Sequence, residues 1–175
     1  VAIAKNEQTG QEFEYRLTTP ISFVNYPVKS YEALPELDLE LSPDFNFLCV
    51  AQFGPRKNLP NTVKWFVEEF KNEDVVKTNL AKNCYMDREK TFKDLQAFAN
   101  NFPDRKCRIY LLHGDMTDEE MHALYSHPKI SALVALPHGE GFGLPIFEAA
   151  YSGLPVIATG WSGQMDFLVD KDNKE

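Results

Sequence analysis

An α/β fold, a parallel sheet with helices on both faces, is predicted by three features of the chain. From residue 45 onward, short and almost wholly apolar runs alternate with segments whose apolar residues recur at helical spacing. Strands that read as unbroken apolar runs are buried on both sides, the condition of a parallel sheet enclosed by helices. The stretches that stand out for glycine and charge follow the ends of those runs, where ligands of such sheets bind.

The elements follow in order. Glu12-Phe-Glu-Tyr-Arg-Leu17 alternates polar and apolar residues, and Ile21-Ser-Phe-Val24 follows Thr-Thr-Pro, so the two are expected to pair as a hairpin. From Tyr26 to Pro43 the chain is rich in Pro, Glu and Asp without a clear period and reads as an extended connector. Phe47-Leu-Cys-Val-Ala-Gln52 is the first buried strand, ended by Phe53-Gly-Pro. Asn58-Leu-Pro-Asn opens a helix in which Val63, Phe66, Val67 and Phe70 make one apolar face. Asp74-Val-Val-Lys-Thr78 is a second strand. Asp87 to Asn101 is a helix with Phe92, Leu95 and Phe98 turned inward, and Cys107-Arg-Ile-Tyr-Leu-Leu112 is a third strand. Thr117-Asp-Glu-Glu120 is a capping box that starts a helix carrying Met121, Leu124 and Tyr125. Ile130 to Leu136 is the fourth strand, a proline-opened helix follows, and Val156-Ile-Ala158 is the fifth.

At 175 residues, 43% hydrophobic and 25% charged, the chain has the make-up of one soluble, well-cored domain. No apolar run approaches the ~20 residues of a membrane-spanning helix. The N-terminal stretch lacks the basic and apolar regions of a signal peptide. A formal charge of −8 argues against general affinity for nucleic acid or anionic membrane, but not against a small anion held by a few local donors. Three widely spaced cysteines, with no Cys-x-x-Cys, fit a reducing, cytoplasmic compartment. Cys49 and Cys107 are expected as buried thiols within strands. The chain starts without Met and is expected to be a piece of a longer protein.

Three loops at strand ends carry the candidate chemistry. Gly54-Pro-Arg-Lys-Asn58 places two adjacent cations before a helix in an otherwise acidic protein. It reads either as a phosphate clamp, with Arg56 a planar fork and Lys57 a point charge, or as a solvated basic turn. His113-Gly-Asp-Met116 either holds a flat base by backbone contacts or is an ordinary strand-to-helix turn, and Lys77-Thr-Asn79 is a weaker member of the set. The most specific stretch is His138-Gly-Glu-Gly-Phe-Gly-Leu-Pro-Ile-Phe-Glu148. Its glycines let backbone approach a ligand, and the helix start behind them suits an anion. Glu140 reads as a ligand carboxylate or one facing water. Glu148 reads as a ligand carboxylate or one favoured by the helix dipole.

Glu140-Gly-Phe-Gly-Leu-Pro-Ile-Phe-Glu148 resembles the E-x7-E signature of retaining, nucleotide-sugar-dependent glycosyltransferases of the GT-B fold, glycosyltransferase family 4. The continuation Ala149-Ala-Tyr-Ser-Gly-Leu-Pro-Val-Ile-Ala158 is similar to that family's E-A-x-A-x-G-x-P-V-I-A, and Thr159-Gly-Trp-Ser-Gly163 to its second glycine-rich turn. The resemblance spans about residues 45–170. It implies the C-terminal, Rossmann-like half of a GT-B fold, which binds the sugar-nucleotide donor. Carried over by position, Glu148 would hold ribose hydroxyls. Glu140, with backbone N–H groups around Gly141, Phe142, Gly143 and Leu144, would hold the donor sugar and its phosphate. Arg56 and Lys57 would neutralise the diphosphate, and Asp115 and Met116 would flank the base. No catalytic group is expected in this piece. The resemblance implies no metal and no cofactor, the nucleotide-sugar being a substrate, and the four histidines show no ligand spacing.

The chain departs from the family pattern in places. Ala51-Gln52 stands where Gly-Arg is common, Pro137-His138 where Pro-Ser is usual, and Ser162-Gly-Gln-Met-Asp166 where Gly-Gly-x-x-Glu occurs. Residues 1–44 are expected to be a hairpin and interdomain connector left from an N-terminal acceptor domain. Residues 45–175 are expected to be the donor-binding domain, truncated at its C-terminal end. The full-length partner set would be a nucleotide-sugar and a glycan or lipid-linked acceptor, with peripheral membrane association open to the whole protein. Three rivals stand beside this reading: a non-catalytic nucleotide-binding or regulatory domain, a sugar-nucleotide epimerase of the same architecture, and a glycoside hydrolase. The last needs carboxylates roughly 5 Å or about 6.5–9.5 Å apart across a sugar cleft and leaves the Arg-Lys loop unused.

Overall fold

The computed structural model describes residues 2–6, 8–15, 18–20, 22, 24, 26–41, 45–72 and 88–169. The chain divides into two units, Val1–Tyr31 and Glu32–Glu175. In the first, β1 (Ala2–Lys5) pairs antiparallel with β2 (Glu12–Tyr15). Residues 12–15 are a strand, as their alternation predicts, and residues 2–5 pair with them; Arg16, Leu17, Ile21 and Phe23 of the expected hairpin lie outside the described residues. A tight turn closes the pair. Asn6 Oδ1 accepts from the N–H groups of Gln8 and Thr9 at 2.9 and 3.1 Å, and Gly10 takes φ +70°. Asn and Gly support such a closure.

In the second unit, β3 (Asn46–Leu48), β4 (Ile130–Ala135) and β5 (Val156–Ala158) form a parallel sheet in that order. Register sets Phe47 beside Ala132 and Leu48 beside Leu133. Successive strand residues face opposite sides of a sheet, so these two pairs serve two cores. Phe47 and Ala132 pack with Val63, Phe66 and Val67 of α1 (Leu59–Phe70) and with Leu95 of α2 (Arg88–Ala99). Leu48 and Leu133 pack with Leu124 and Tyr125 of α3 (Asp118–Tyr125) and with Ile146 and Ala149 of α4 (Leu144–Tyr151). Helices therefore cover both faces of the sheet, and α5 (Met165–Leu168) is a single turn beyond β5. The capping box of α3 is formed in both directions, with Glu120 N–H donating to Thr117 Oγ1 at 3.2 Å and Thr117 N–H to Glu120 Oε2 at 2.7 Å.

Three expectations need correction. The helix of residues 88–99 buries Thr91, Leu95 and Ala99, four residues apart, and leaves Phe92 53% exposed. One residue is a rotation of about 100° around a helix, enough to carry Phe92 off the buried stripe. Residues 107–112 are not in the sheet among the described residues. Their alternation is nevertheless real: Cys107, Ile109 and Leu111 pack towards α1 and α2, while Tyr110 and Leu112 pack towards α3 and α4. Alternating burial needs only an extended chain, whereas a strand also needs a neighbour in register. Strand β3 stops at Leu48, short of the expected Gln52, although Cys49 stays buried and burial pushes its thiol up to about 12. The expected strand at 74–78, the Lys77-Thr-Asn79 loop and Cys84 lie outside the described residues.

The end of the connector is fastened to this unit. Leu37, Leu39 and Leu41 pack on the α3–α4 core, and Lys129 Nζ donates to Leu41 O at 2.9 Å. The packing makes a direct comparison possible. Leu95→Ala should lower unfolding free energy by roughly 2–5 kcal/mol, and Phe92→Ala should change it by no more than about 0.5 kcal/mol. Urea denaturation of both variants reads the difference.

Candidate functional site

The loop after β3 is a short 3₁₀ turn, Pro55–Lys57, ending at Asn58 with φ +54°. The sequence suggests Asn58 as a helix opener. Its side chain makes no cap bond to an α1 backbone N–H; Oδ1 accepts from Asn61 Nδ2 of α1 at 2.6 Å, while Nδ2 donates to Leu136 O, just past β4, at 3.0 Å. His138 N–H returns the link, donating to Arg56 O at 2.8 Å. Two loops 78 or more residues apart are thereby stitched together.

The stitching delivers both cations to one carboxylate. Arg56 Nη1 donates to Gly139 O at 2.7 Å and to Glu140 Oε2 at 2.9 Å, while Lys57 Nζ donates to Glu140 Oε1. The Glu140 and Lys57 side chains are 10% and 15% exposed, and that of Arg56 is 57% exposed. Arg56 therefore forms the outer arm of the clamp and Lys57 the inner one. Arg56, His138, Gly139, Glu140, Gly141 and Ser162 line an open cleft of about 460 Å³. Burial pushes the Glu140 carboxyl up, but hydrogen bonds from Lys57 and Arg56 and their charges outweigh it and hold the group below the usual carboxylate range.

A third loop braces the second. Ser162 Oγ accepts from Glu140 N–H at 3.0 Å and donates to Glu140 O at 2.7 Å, and Gly163 N–H donates to the same carbonyl at 3.2 Å. Any side chain at Gly163 would overlap the Gly141 carbonyl, which is why glycine stands there. Behind it Gln164 is fully buried, its amide donating to Thr159 O at 2.9 Å and Thr159 Oγ1 at 3.0 Å.

The glycine loop ends at Gly143, φ +91°, which caps α4. Ile146 and Phe147 N–H both turn back to Gly143 O at 2.9 Å, and Pro145 has no N–H. Phe142 points its ring into a cluster with Phe147 and Phe167, at 5.3 and 5.0 Å, and Leu144 is exposed. Glu148 lies further along α4, half-buried, and accepts from Tyr125 Oη at 3.1 Å. Tyr125 is 1% exposed, and burial together with the Glu148 charge raises its phenol above the ordinary value. Of the two residues expected at the base, Met116 packs on the core cluster that includes Tyr125 and Ala149, and Asp115 is exposed. Among the described residues no three or more His, Cys, Asp or Glu side chains gather as a metal site, and no helix is long and apolar enough to cross a membrane.

Residues 38–175 match the family described as glycosyl transferases group 1. The chain belongs to that family. Its fold is that of the C-terminal domains of GT-B glycosyltransferases. The C-terminal domain of LpcC, a glycosyl transferase group 1 family protein from Francisella tularensis, superposes with TM-score 0.58 at 20% identity over 74% of this chain and 65% of its own. OtsA without ligand gives TM-score 0.56 at 14% identity, over 73% of this chain and 31% of its own. The catalytic domain of starch synthase IV from Arabidopsis thaliana, bound to ADP and acarbose, gives 0.51 at 16% identity, over 74% of this chain and 24% of its own. The chain thus spans less than two thirds of each of these proteins. No curated protein matches it.

Within this glycosyltransferase domain, sequence reasoning singles out Arg56, Lys57, Glu140 and Glu148 and misses the residues that place them: Asn58, Tyr125, Ser162 and Gln164. The available signals were slight, an Asn directly after the cations and a serine in a glycine-rich turn.

Two outcomes follow from the geometry. A carboxyl whose folded pKa is depressed adds stability above its unfolded pKa and loses it as pH falls through the folded value. The Glu140 clamp should therefore stay closed from neutral pH down through ~4.3, the ordinary glutamate value, and open only below it. A carboxyl-carbon NMR titration would show a midpoint under that value, and a midpoint above it would count against the clamp. Separately, Gly163→Ala should cost roughly 1–3 kcal/mol by overpacking, while Gly160→Ala, where nothing lies within 4 Å of the new methyl, should unfold thermally like wild type.

Proposed function

We propose that this chain is the donor-binding domain of a retaining glycosyltransferase of family 4, acting in glycan, polysaccharide or glycolipid synthesis. One observation carries the reading: Arg56, Lys57, Glu140 and the glycine loop that opens α4 converge at the carboxyl ends of β3 and β4, with Glu148 along the same helix. That is the place and the chemistry for an anionic, hydroxyl-bearing ligand. In this reading Arg56 and Lys57 meet the diphosphate. Glu140 and the backbone of Gly141, Phe142, Gly143 and Leu144 meet the sugar and its phosphate, and Glu148 takes the ribose hydroxyls, held in direction by Tyr125. Asp115 and Met116 flank the base. The ADP in the starch synthase IV structure supports a nucleoside diphosphate as ligand for the fold.

The chemistry is consistent with these roles. As the sugar departs, charge grows on the nucleoside diphosphate, and groups preset to receive that charge favour the transition state over the ground state. The two cations supply this stabilisation without a metal ion, and the carboxylates hold hydroxyls without moving protons. Acceptor binding is assigned to an N-terminal domain, of which residues 1–44 are the last hairpin and connector. The 175-residue piece is accordingly expected to bind donor weakly and to transfer nothing alone, in a cytoplasmic setting.

Calorimetry with UDP, GDP and ADP tests the reading. One nucleotide should bind in preference, and Glu148→Ala should weaken it by roughly tenfold or more, the worth of charge-assisted hydrogen bonds to ribose. Binding that ignores Glu148, or none at all, would favour a non-catalytic module.

A further inference from the structure

The clamp has a feature that donor binding alone does not explain: both phosphate-seeking cations are engaged by a carboxylate of the same site. Glu140 uses one oxygen on Arg56 and the other on Lys57. Carboxylate and phosphate oxygens compete for the same donors with similar geometry. An anion entering the open cleft meets the exposed Arg56 first and reaches the inner Lys57 only where Glu140 gives way.

We propose that Glu140 is a specificity-determining residue, an internal occupant of the diphosphate seat that makes the site accept a sugar-bearing nucleotide in preference to the free nucleoside diphosphate. The proposal rests on the donor-site reading above and deepens it. A displaced Glu140 loses two charge-assisted bonds while still largely enclosed, a costly state for a carboxylate. Its neighbour Ser162 cannot replace them, because that hydroxyl is already shared between Glu140 N–H and Glu140 O. A sugar attached to the diphosphate brings hydroxyl donors to the displaced carboxylate and restores its bonds. A free nucleoside diphosphate brings none. The exchange of partners is therefore favourable for the donor and unfavourable for the product, which Glu140 helps to expel when it returns to Arg56 and Lys57.

The test is calorimetry on the 175-residue chain and on Glu140→Gln, which keeps the shape and removes the charge. The probes are UDP, GDP and ADP, their glucose or mannose conjugates, and inorganic pyrophosphate. Glu140→Gln should bind pyrophosphate and the free nucleoside diphosphate about tenfold more tightly than wild type, since an unpaired, largely enclosed cation is left to attract them. The sugar-nucleotide should gain nothing, so the preference for it shrinks or inverts. Adding Lys57→Ala to Glu140→Gln should erase the gain, showing that the effect runs through the cation. Glu140→Ala, checked by thermal unfolding alongside, should shift affinities in the same direction. Unchanged or weaker pyrophosphate binding in Glu140→Gln overturns the proposal, and so does the absence of pyrophosphate binding by either protein. Failure of the donor-site reading looks different: pyrophosphate binding tightens, yet no nucleotide is preferred and Glu148→Ala has no effect.

Discussion

Parallel pairing of β3 with β4 is the constraint on which the site depends. It sends both strands out of the same edge of the sheet, so the loops that follow them meet although they lie far apart in the chain. Three bonds then consolidate the meeting: Asn58 to Leu136 O, His138 N–H to Arg56 O, and Arg56 to Gly139 O. Only after this are Arg56 and Lys57 within reach of Glu140, 84 and 83 residues away in the chain. In a protein of net charge −8, the two cations matter through position and partial enclosure, not through any long-range field.

The backbone frame of the site is preset, and within it the Glu140 carboxylate is the group shared between Arg56 and Lys57. Ser162 and Gly163 hold the Glu140 backbone, the tight approach of Gly163 to Gly141 keeps the two glycine loops together, and Gln164 secures the base of the second loop through Thr159. Glu148 is held by a helix and a buried phenol, which limits how its carboxylate can turn. Groups fixed this way need little reorganisation when charge develops beside them. The Arg56 side chain, more than half exposed, is the least confined member. It fits a part that trades partners.

Much of the fold was legible in local pattern. Val63, Phe66 and Val67 form the buried stripe that their spacing predicts, Thr117 and Glu120 form the capping box, and the apolar runs at 130–135 and 156–158 are strands. The misses share a cause. Residues 12–15 pair with 2–5, and residues 107–112 alternate in burial without a strand partner among the described residues, because pairing depends on a second segment that no local period reveals. Phe92 is exposed because the stripe of α2 is set by its neighbours, with the smaller Thr91 and Ala99 buried beside Leu95.

For the site, the sequence by itself determined the chemical parts: two adjacent cations before a helix, glycines before another helix, and carboxylates at positions 140 and 148. Residue type and spacing suffice for that, because a helix or a tight loop imposes geometry over a few residues. Only the tertiary structure decided that the cations and Glu140 hold one another, that Tyr125 secures Glu148, and that Asn58 ties the start of α1 to the end of β4. Those outcomes depend on through-space hydrogen bonds between distant segments, whose strength falls away within an ångström of the right distance. Such distances exist only once the strands have chosen their neighbours.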